Sequence, residues 1–299
     1  MINGIINVYK EPGFTSHDVV AKLRGITHQK KIGHTGTLDP DAEGVLCVAL
    51  GAATRVCDML TDETKEYEAE MQLGITTDTQ DTSGEILSGK EVNVTAEQLR
   101  QCISSFTGDI DQIPPMYSAL KQNGKKLYEL ARAGITVERK ARHITIYDIQ
   151  IVSMDLPRAV IRVKCSKGTY IRTLCNDIGE KLGCGAAMSH LLRTRVGRFK
   201  VEDSLKLKDI EKIVREDRIN DALVTLGEFF SDLKQIKVTE TGIKKASNGN
   251  VLTTSDIGLH NTLSDSEEVA ISGEDGFFYG IYRYDIGDGL LHPSKMFLC

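Results

Sequence analysis

Asp39 stands in Gly33-His34-Thr35-Gly36-Thr37-Leu38-Asp39-Pro40, a loop that offers one carboxylate between an apolar residue and a proline. The glycines permit backbone angles and close approaches that a β-carbon would obstruct, while Pro40 fixes its own φ and biases Asp39 toward an extended conformation. A loop built this way aims a side chain. A single carboxylate can add covalently to a substrate or abstract a proton, and then be regenerated. On these residues alone, a turn in which Asp39 caps the next segment is the competing reading. A guanidinium nearby would favour the anion that chemistry needs. Tyr170 and Arg172 fall at a predicted strand-to-helix junction where side chains can project into a cleft, and on these residues alone Arg172 reads as a phosphate contact or a surface ion pair.

The loop and its continuation Asp41-Ala42-Glu43-Gly44-Val45-Leu46 resemble the catalytic loop of the TruB family of tRNA pseudouridine synthases. The resemblance recurs in order at Lys65-Glu66-Tyr67, at Ile113-Pro114-Pro115-Met116-Tyr117-Ser118-Ala119-Leu120-Lys121, and at Ser166-Lys167-Gly168-Thr169-Tyr170-Ile171-Arg172-Thr173. It runs from about Asn3 to about Val196, with one departure where Lys10-Glu11-Pro12 replaces an adjacent Lys-Pro. The resemblance implies that Asp39 is the catalytic residue and that Arg172 is its electrostatic partner. It further implies that Tyr67 stacks on the flipped base, that Tyr170 lies across the pocket and handles the C5 proton, that Leu191 closes the pocket, and that His34 fills the space a flipped base leaves.

These residues need elements to position them. Tyr67, Ala69, Met71 and Leu73 alternate with Glu66, Glu68, Glu70 and Gln72, which predicts a half-buried strand with Tyr67 on its apolar side. A strand over Ile5 to Tyr9 precedes a helix from about Ser16, with Val19, Val20, Leu23 and Ile26 on one face. Thr95-Ala96-Glu97-Gln98 has capping-box spacing and opens a helix expected to stop near Gly108. Two strands, marked by Ile144 to Ile151 and by Ala159 to Cys165, lead to a helix with Ile171, Leu174, Cys175, Ile178 and Leu182 inward. A short helix is expected over Lys125 to Ala133, and a helical segment from about Lys206 to Leu233. After Ile236 the reading is short strands, turns and polar loops. The expected fold class is α+β: residues 1–235 form a catalytic domain on a mixed, mainly antiparallel sheet, with an RNA-gripping excursion at about 108–143. Residues 236–299 form a small β-rich domain that the resemblance identifies as PUA-like.

Composition is that of an ordinary globular chain, with 40% hydrophobic and 26% charged residues among 299. No apolar run reaches the roughly twenty residues of a membrane span. The start Met1-Ile2-Asn3-Gly4 lacks signal-peptide features, so the expectation is the cytoplasm. Seven cysteines without a Cys-x-x-Cys pair argue against structural zinc, and the apolar phases of Cys102, Cys165 and Cys175 read as small buried hydrophobes. The formal charge of −5 is unevenly distributed: Val251 to Cys299 carries eight acidic and two basic residues. Lys121 to His143 carries Lys121, Lys125, Lys126, Arg132, Arg139, Lys140 and Arg142 against Glu129 and Glu138. Such a patch can neutralise phosphates despite an acidic total, although charge runs are often only solvated faces.

The resemblance implies isomerisation of uridine 55 in the TΨC loop of tRNA, recognised chiefly by the folded shape of that arm. No cofactor, metal, membrane or obligate protein partner is expected, and the chain is expected to act as a monomer. Two other classes remain in play: a tRNA-binding module without catalysis, and a hydrolytic glycosidase, for which Asp39 would need a second carboxylate such as Asp41 or Glu43.

Overall fold

Lys65–Leu73 buries every second side chain along nine residues, as its period-two pattern dictates. In the computed structural model, which describes residues 2–258 and 263–298, this strand is the middle of a large sheet. The strands run in the order Gly4–Lys10, Glu43–Leu50, Ala186–Val196, Lys65–Leu73, Arg158–Cys165, Arg142–Asp155, Gly108–Gln112. Ile32–His34 adds to Glu43–Leu50, and Phe199–Lys200 adds to Ala186–Val196. All pairings are antiparallel except one: Glu43–Leu50 meets Ala186–Val196 in parallel through Leu192 with Glu43 and Arg193 with Gly44. The sheet is mixed and mainly antiparallel, as expected.

Helix Ser16–Thr27 starts at a capping box in which the Thr15 hydroxyl accepts from the Asp18 amide, and it buries Val19, Val20 and Leu23. These pack with Ile6, Val8, Leu46, Val48 and Leu50 of the first two strands. Helix Ala96–Ser104 opens at the predicted Thr95/Gln98 capping box. Its Leu99, Cys102 and Ile103 share a core with Leu174, Cys175 and Ile178 of helix Ile171–Lys181 and with Tyr67, Ala69 and Met71 of the central strand. Each leucine, isoleucine or methionine among them contributes roughly 1.5–3 kcal/mol by leaving water. No described helix is long and apolar enough to cross a membrane.

Three local expectations need correction. Helix Ala96–Ser104 closes at Ser105, and Gly108 begins a strand with φ +106°. The excursion helix covers Leu127–Arg132, because Lys125–Lys126 pairs with Lys121–Gln122 as a small hairpin. The segment after Lys206 is not one helix: Leu207–Arg215 is stopped by Asp217 in the left-handed region at φ 55°, a 3₁₀ turn follows at Ile219–Ala222, and Thr225 caps a new start at Leu226–Phe229 through Glu228.

A second sheet has the order Lys234–Lys237, Glu268–Ser272, Phe278–Asp285, Leu290–Met296, Leu252–Thr253. It carries a helix, Glu240–Ser247, that the sequence reading had as loop. The two sheets share a cluster: Phe230 stacks on Phe278 at 5.6 Å between ring centroids and touches Phe297 at 5.5 Å, together with Val196, Phe199, Ala270 and Ile281.

Candidate active site

The Asp39 loop is pinned on both sides of its carboxylate. Lys10, fully buried at the end of the first strand, donates from Nζ to Pro40 O at 2.9 Å and to Ala42 O. The Gly13 amide also donates to Pro40 O at 2.9 Å, and the Leu38 amide donates to the buried Ser16 hydroxyl at 2.9 Å. Burial pulls Lys10 down to about 8, against the opposing pull of Asp39 and Asp41. The departure at Glu11 leaves this anchor intact, and Glu11 itself pairs with Lys206 at 3.2 Å.

Across from the loop, Arg172 enters from the first turn of helix Ile171–Lys181 with only 7% of its side chain exposed, whereas Asp39 keeps 42%. A buried guanidinium must satisfy five N–H groups. Nε faces Asp39 Oδ2 at 3.1 Å and Nη2 faces Asp39 Oδ1 at 3.4 Å. Nη2 also donates to Tyr117 O at 2.8 Å, while Nη1 donates to Thr79 O and Asp81 Oδ2, both at 3.1 Å. Asp81 is itself braced, since its Oδ1 accepts from the Thr79 and Ser83 hydroxyls. Burial is the largest influence on Asp39 and raises its pKa; Arg172 opposes that, Asp81 adds to it, and Lys10 counteracts it.

Tyr67 keeps 9% of its surface open and lies in one apolar cluster with Leu38, Ile171 and Leu191. Its phenol is pushed up by burial and eased by the Arg193 guanidinium beside it. Tyr170 is half-buried, with its backbone clamped by the buried Gln112, whose amide nitrogen donates to Tyr170 O at 3.0 Å and whose amide oxygen accepts from Tyr170 N at 2.8 Å. Burial raises its pKa too. His34 ends the short strand Ile32–His34, and its ring meets His17 edge-on at 5.2 Å. Burial, then His17 and Arg193, hold His34 below the ordinary histidine value, so it is uncharged near neutral pH. Asp39 and Arg172 are therefore in contact, Tyr67 and Leu191 share one apolar wall, and Tyr170 stands two residues before Arg172.

Sequence reasoning missed Asp81, Gln112 and Arg193. Arg193 is 1% exposed and donates from Nε to Val45 O at 2.7 Å and from Nη2 to Gly36 O at 3.3 Å. Its place opposite Tyr67 in the strand pairing was the available signal, and that requires the register. Among the described residues, the one group of side chains spaced to ligate a metal is Asp285, Asp288 and His292, in the C-terminal sheet.

Residues 24–171 match the family described as TruB family pseudouridylate synthase (N terminal domain), and residues 172–231 match the tRNA pseudouridylate synthase B C-terminal domain. The chain is 48% identical to the tRNA pseudouridine synthase B of Lachnoclostridium phytofermentans over 99% of this chain and 100% of that protein. This chain belongs to the TruB family. As a TruB-family member it is a tRNA pseudouridine synthase, hence an isomerase. The Bacillus pumilus tRNA pseudouridine synthase B is 41% identical over 99% of this chain and 98% of that protein. Among solved structures, an H/ACA RNP bound to a substrate RNA containing 2'-deoxyuridine aligns with TM-score 0.70 and 28% identity, over 99% of this chain and 85% of that one. The TruB fold and the TruB sequence blocks thus coincide in one chain.

Proposed function

We propose that this chain converts uridine 55 in the TΨC loop of tRNA to pseudouridine, with Asp39 as the catalytic residue. The observation that carries the reading is the pinned, partly open Asp39 carboxylate facing a buried Arg172 whose other N–H groups are all engaged by the protein. In the reaction the N1–C1′ bond breaks, the uracil turns while held, and a C5–C1′ bond forms; C5 loses a hydrogen and N1 gains one. Nothing is oxidised and no group is lost, so a regenerated carboxylate suffices without a cofactor. The target base must leave its stack, at a cost of a few kcal/mol. Tyr67 and Leu191 supply the apolar wall that receives it, Tyr170 serves the C5 proton, and His34 occupies the vacated space as a neutral ring.

The basic excursion between the strands Gly108–Gln112 and Arg142–Asp155 grips the arm. Residues 1–235 act as the catalytic unit and 236–299 as a PUA-like unit, the division falling within the strand Lys234–Lys237. The enzyme works as a cytoplasmic monomer without an obligate protein partner. Hydrolysis is the weaker reading: of the two second carboxylates it could use, Glu43 is committed to Tyr9 and His190 and Asp41 is exposed to solvent, while Asp81 is committed to Arg172.

The test is to incubate the protein with unmodified tRNA transcript and map pseudouridine, then repeat with Asp39→Asn. Product at position 55 with the parent protein, none with Asp39→Asn, and near-normal tRNA binding by both is expected. Wild-type turnover by Asp39→Asn would reject Asp39, free uracil would indicate hydrolysis, and product elsewhere would reject position 55.

A further inference from the structure

The site straddles a junction in the sheet. Strands Gly4–Lys10, Ile32–His34 and Glu43–Leu50 hold the Asp39 loop; Tyr67, Leu191 and the helix bearing Arg172 belong to the strands and connections on the other side. Among the described residues, strand pairing joins the two halves of the sheet at two parallel pairs, Leu192 with Glu43 and Arg193 with Gly44. Gly44 has φ +103°, and a Cβ there would lie 2.3 Å from Arg193 O, so the close approach needs glycine. Two pairs are few bonds with which to set a distance that catalysis depends on.

Side chains cross the junction on both faces. On the Tyr67 face Arg193 reaches Val45 O and Gly36 O. On the opposite face Glu43 divides its carboxylate: Oε2 accepts from Tyr9 Oη at 2.7 Å on its own side, and Oε1 faces His190 Nε2 at 2.9 Å on the other. A carboxylate only accepts, so the hydrogen of the second contact sits on Nε2. The charged neighbours are Lys206, 5.5 Å from the Tyr9 ring centroid and paired with Glu11, and Glu70, the strand partner of His190. The hydrogen bonds hold Glu43 below the usual carboxylate range despite its burial.

We propose that Glu43 is a positioning residue: by gripping Tyr9 and His190 across the parallel junction it sets the separation of Asp39 from Tyr67 and Leu191. It rests on Asp39 being the reacting carboxylate. Glu43 directly follows Ala42, whose carbonyl anchors Lys10, so a shift at Glu43 passes along a pinned loop to Asp39. A partly exposed hydrogen bond of this kind adds little to stability, but small misplacements of a reacting group lower rates strongly.

The experiment measures single-turnover conversion of unmodified tRNA under saturating enzyme, together with tRNA affinity. Glu43→Ala should slow conversion about tenfold while affinity moves less than about twofold, because geometry and not binding is disturbed. Glu43→Gln should recover most of the rate, since an amide can accept from Tyr9 and donate to the other imidazole tautomer. Glu43→Ala combined with His190→Ala should be no slower than Glu43→Ala alone, as expected for one unit. Should Glu43→Ala fail to fold, Tyr9→Phe and His190→Ala each remove half of the clamp and must slow conversion without weakening binding. Wild-type conversion by Glu43→Ala, equal losses of rate and affinity, or no recovery in Glu43→Gln overturns the proposal. Asp39→Asn is run alongside: if it is active, the Asp39 assignment fails; if it is inactive and Glu43→Ala reacts normally, only the positioning role falls.

Discussion

Asp39 carries its charge against surroundings that favour the neutral acid. Its folded pKa lies above the ordinary 3.8, with burial as the main cause and Arg172 as the main restraint. The fold therefore binds the Asp39 proton more tightly than the unfolded chain does. Ionisation costs no stability below 3.8, and the cost is complete only above the folded value. Under the proposed role of Asp39 the anion is the reactive form, so single-turnover rate should fall with decreasing pH along a limb whose midpoint lies above 3.8. Rate–pH profiles on the intact protein check this, and a midpoint at or below 3.8 would contradict it. At this scale Asp39, Tyr67 and Arg172 were visible in the sequence because they sit in recognisable blocks. Asp81 and Gln112 were not: each matters through one long-range contact, to Arg172 Nη1 and to the Tyr170 backbone, and no local pattern encodes it.

Among elements, the excursion between Gly108–Gln112 and Arg142–Asp155 displays Lys121, Lys125, Arg132, Lys140 and Arg142 to solvent. None of these five forms an ion pair among the described residues, in contrast to Lys212 and Arg215 of helix Leu207–Arg215. Unpaired cations on a loop are free to neutralise phosphates. Lys125→Ala and Lys140→Ala should each weaken tRNA affinity and lower the slope of log affinity against log salt by about one per lost phosphate contact. The rate with saturating enzyme should not change. Titrations at several salt concentrations decide it, and an unaltered slope in both variants would remove the excursion from the interface. Elements with strong periodicity, such as Lys65–Leu73 and Ile171–Lys181, could be read directly from the chain. The stretch after Lys206 could not, because its breaks depend on a left-handed Asp217 and a fresh cap at Thr225, against a background of helix-forming residues. Helix Glu240–Ser247 is short and opens at Thr239 without a glutamate or glutamine three residues on.

For the whole molecule, Phe230, Phe278 and Phe297 make one aromatic cluster between the large sheet and the C-terminal sheet. The two sheets should therefore unfold in a single calorimetric transition. Phe230→Ala removes the ring that comes from outside the C-terminal sheet and should cost about 3–5 kcal/mol, lowering Tm by roughly 10 °C. Two transitions in the parent protein, or an unchanged Tm in Phe230→Ala, would show that the sheets are thermodynamically independent. The shared cluster also bears on how a polyanion meets this enzyme. Residues 251–299 concentrate negative charge, and the aromatic contact bolts that end of the molecule in a constant orientation instead of leaving it on a tether. The charge of residues 251–299 is thus carried in a constant orientation relative to the large sheet, and an approaching polyanion meets a fixed field in place of a fluctuating one.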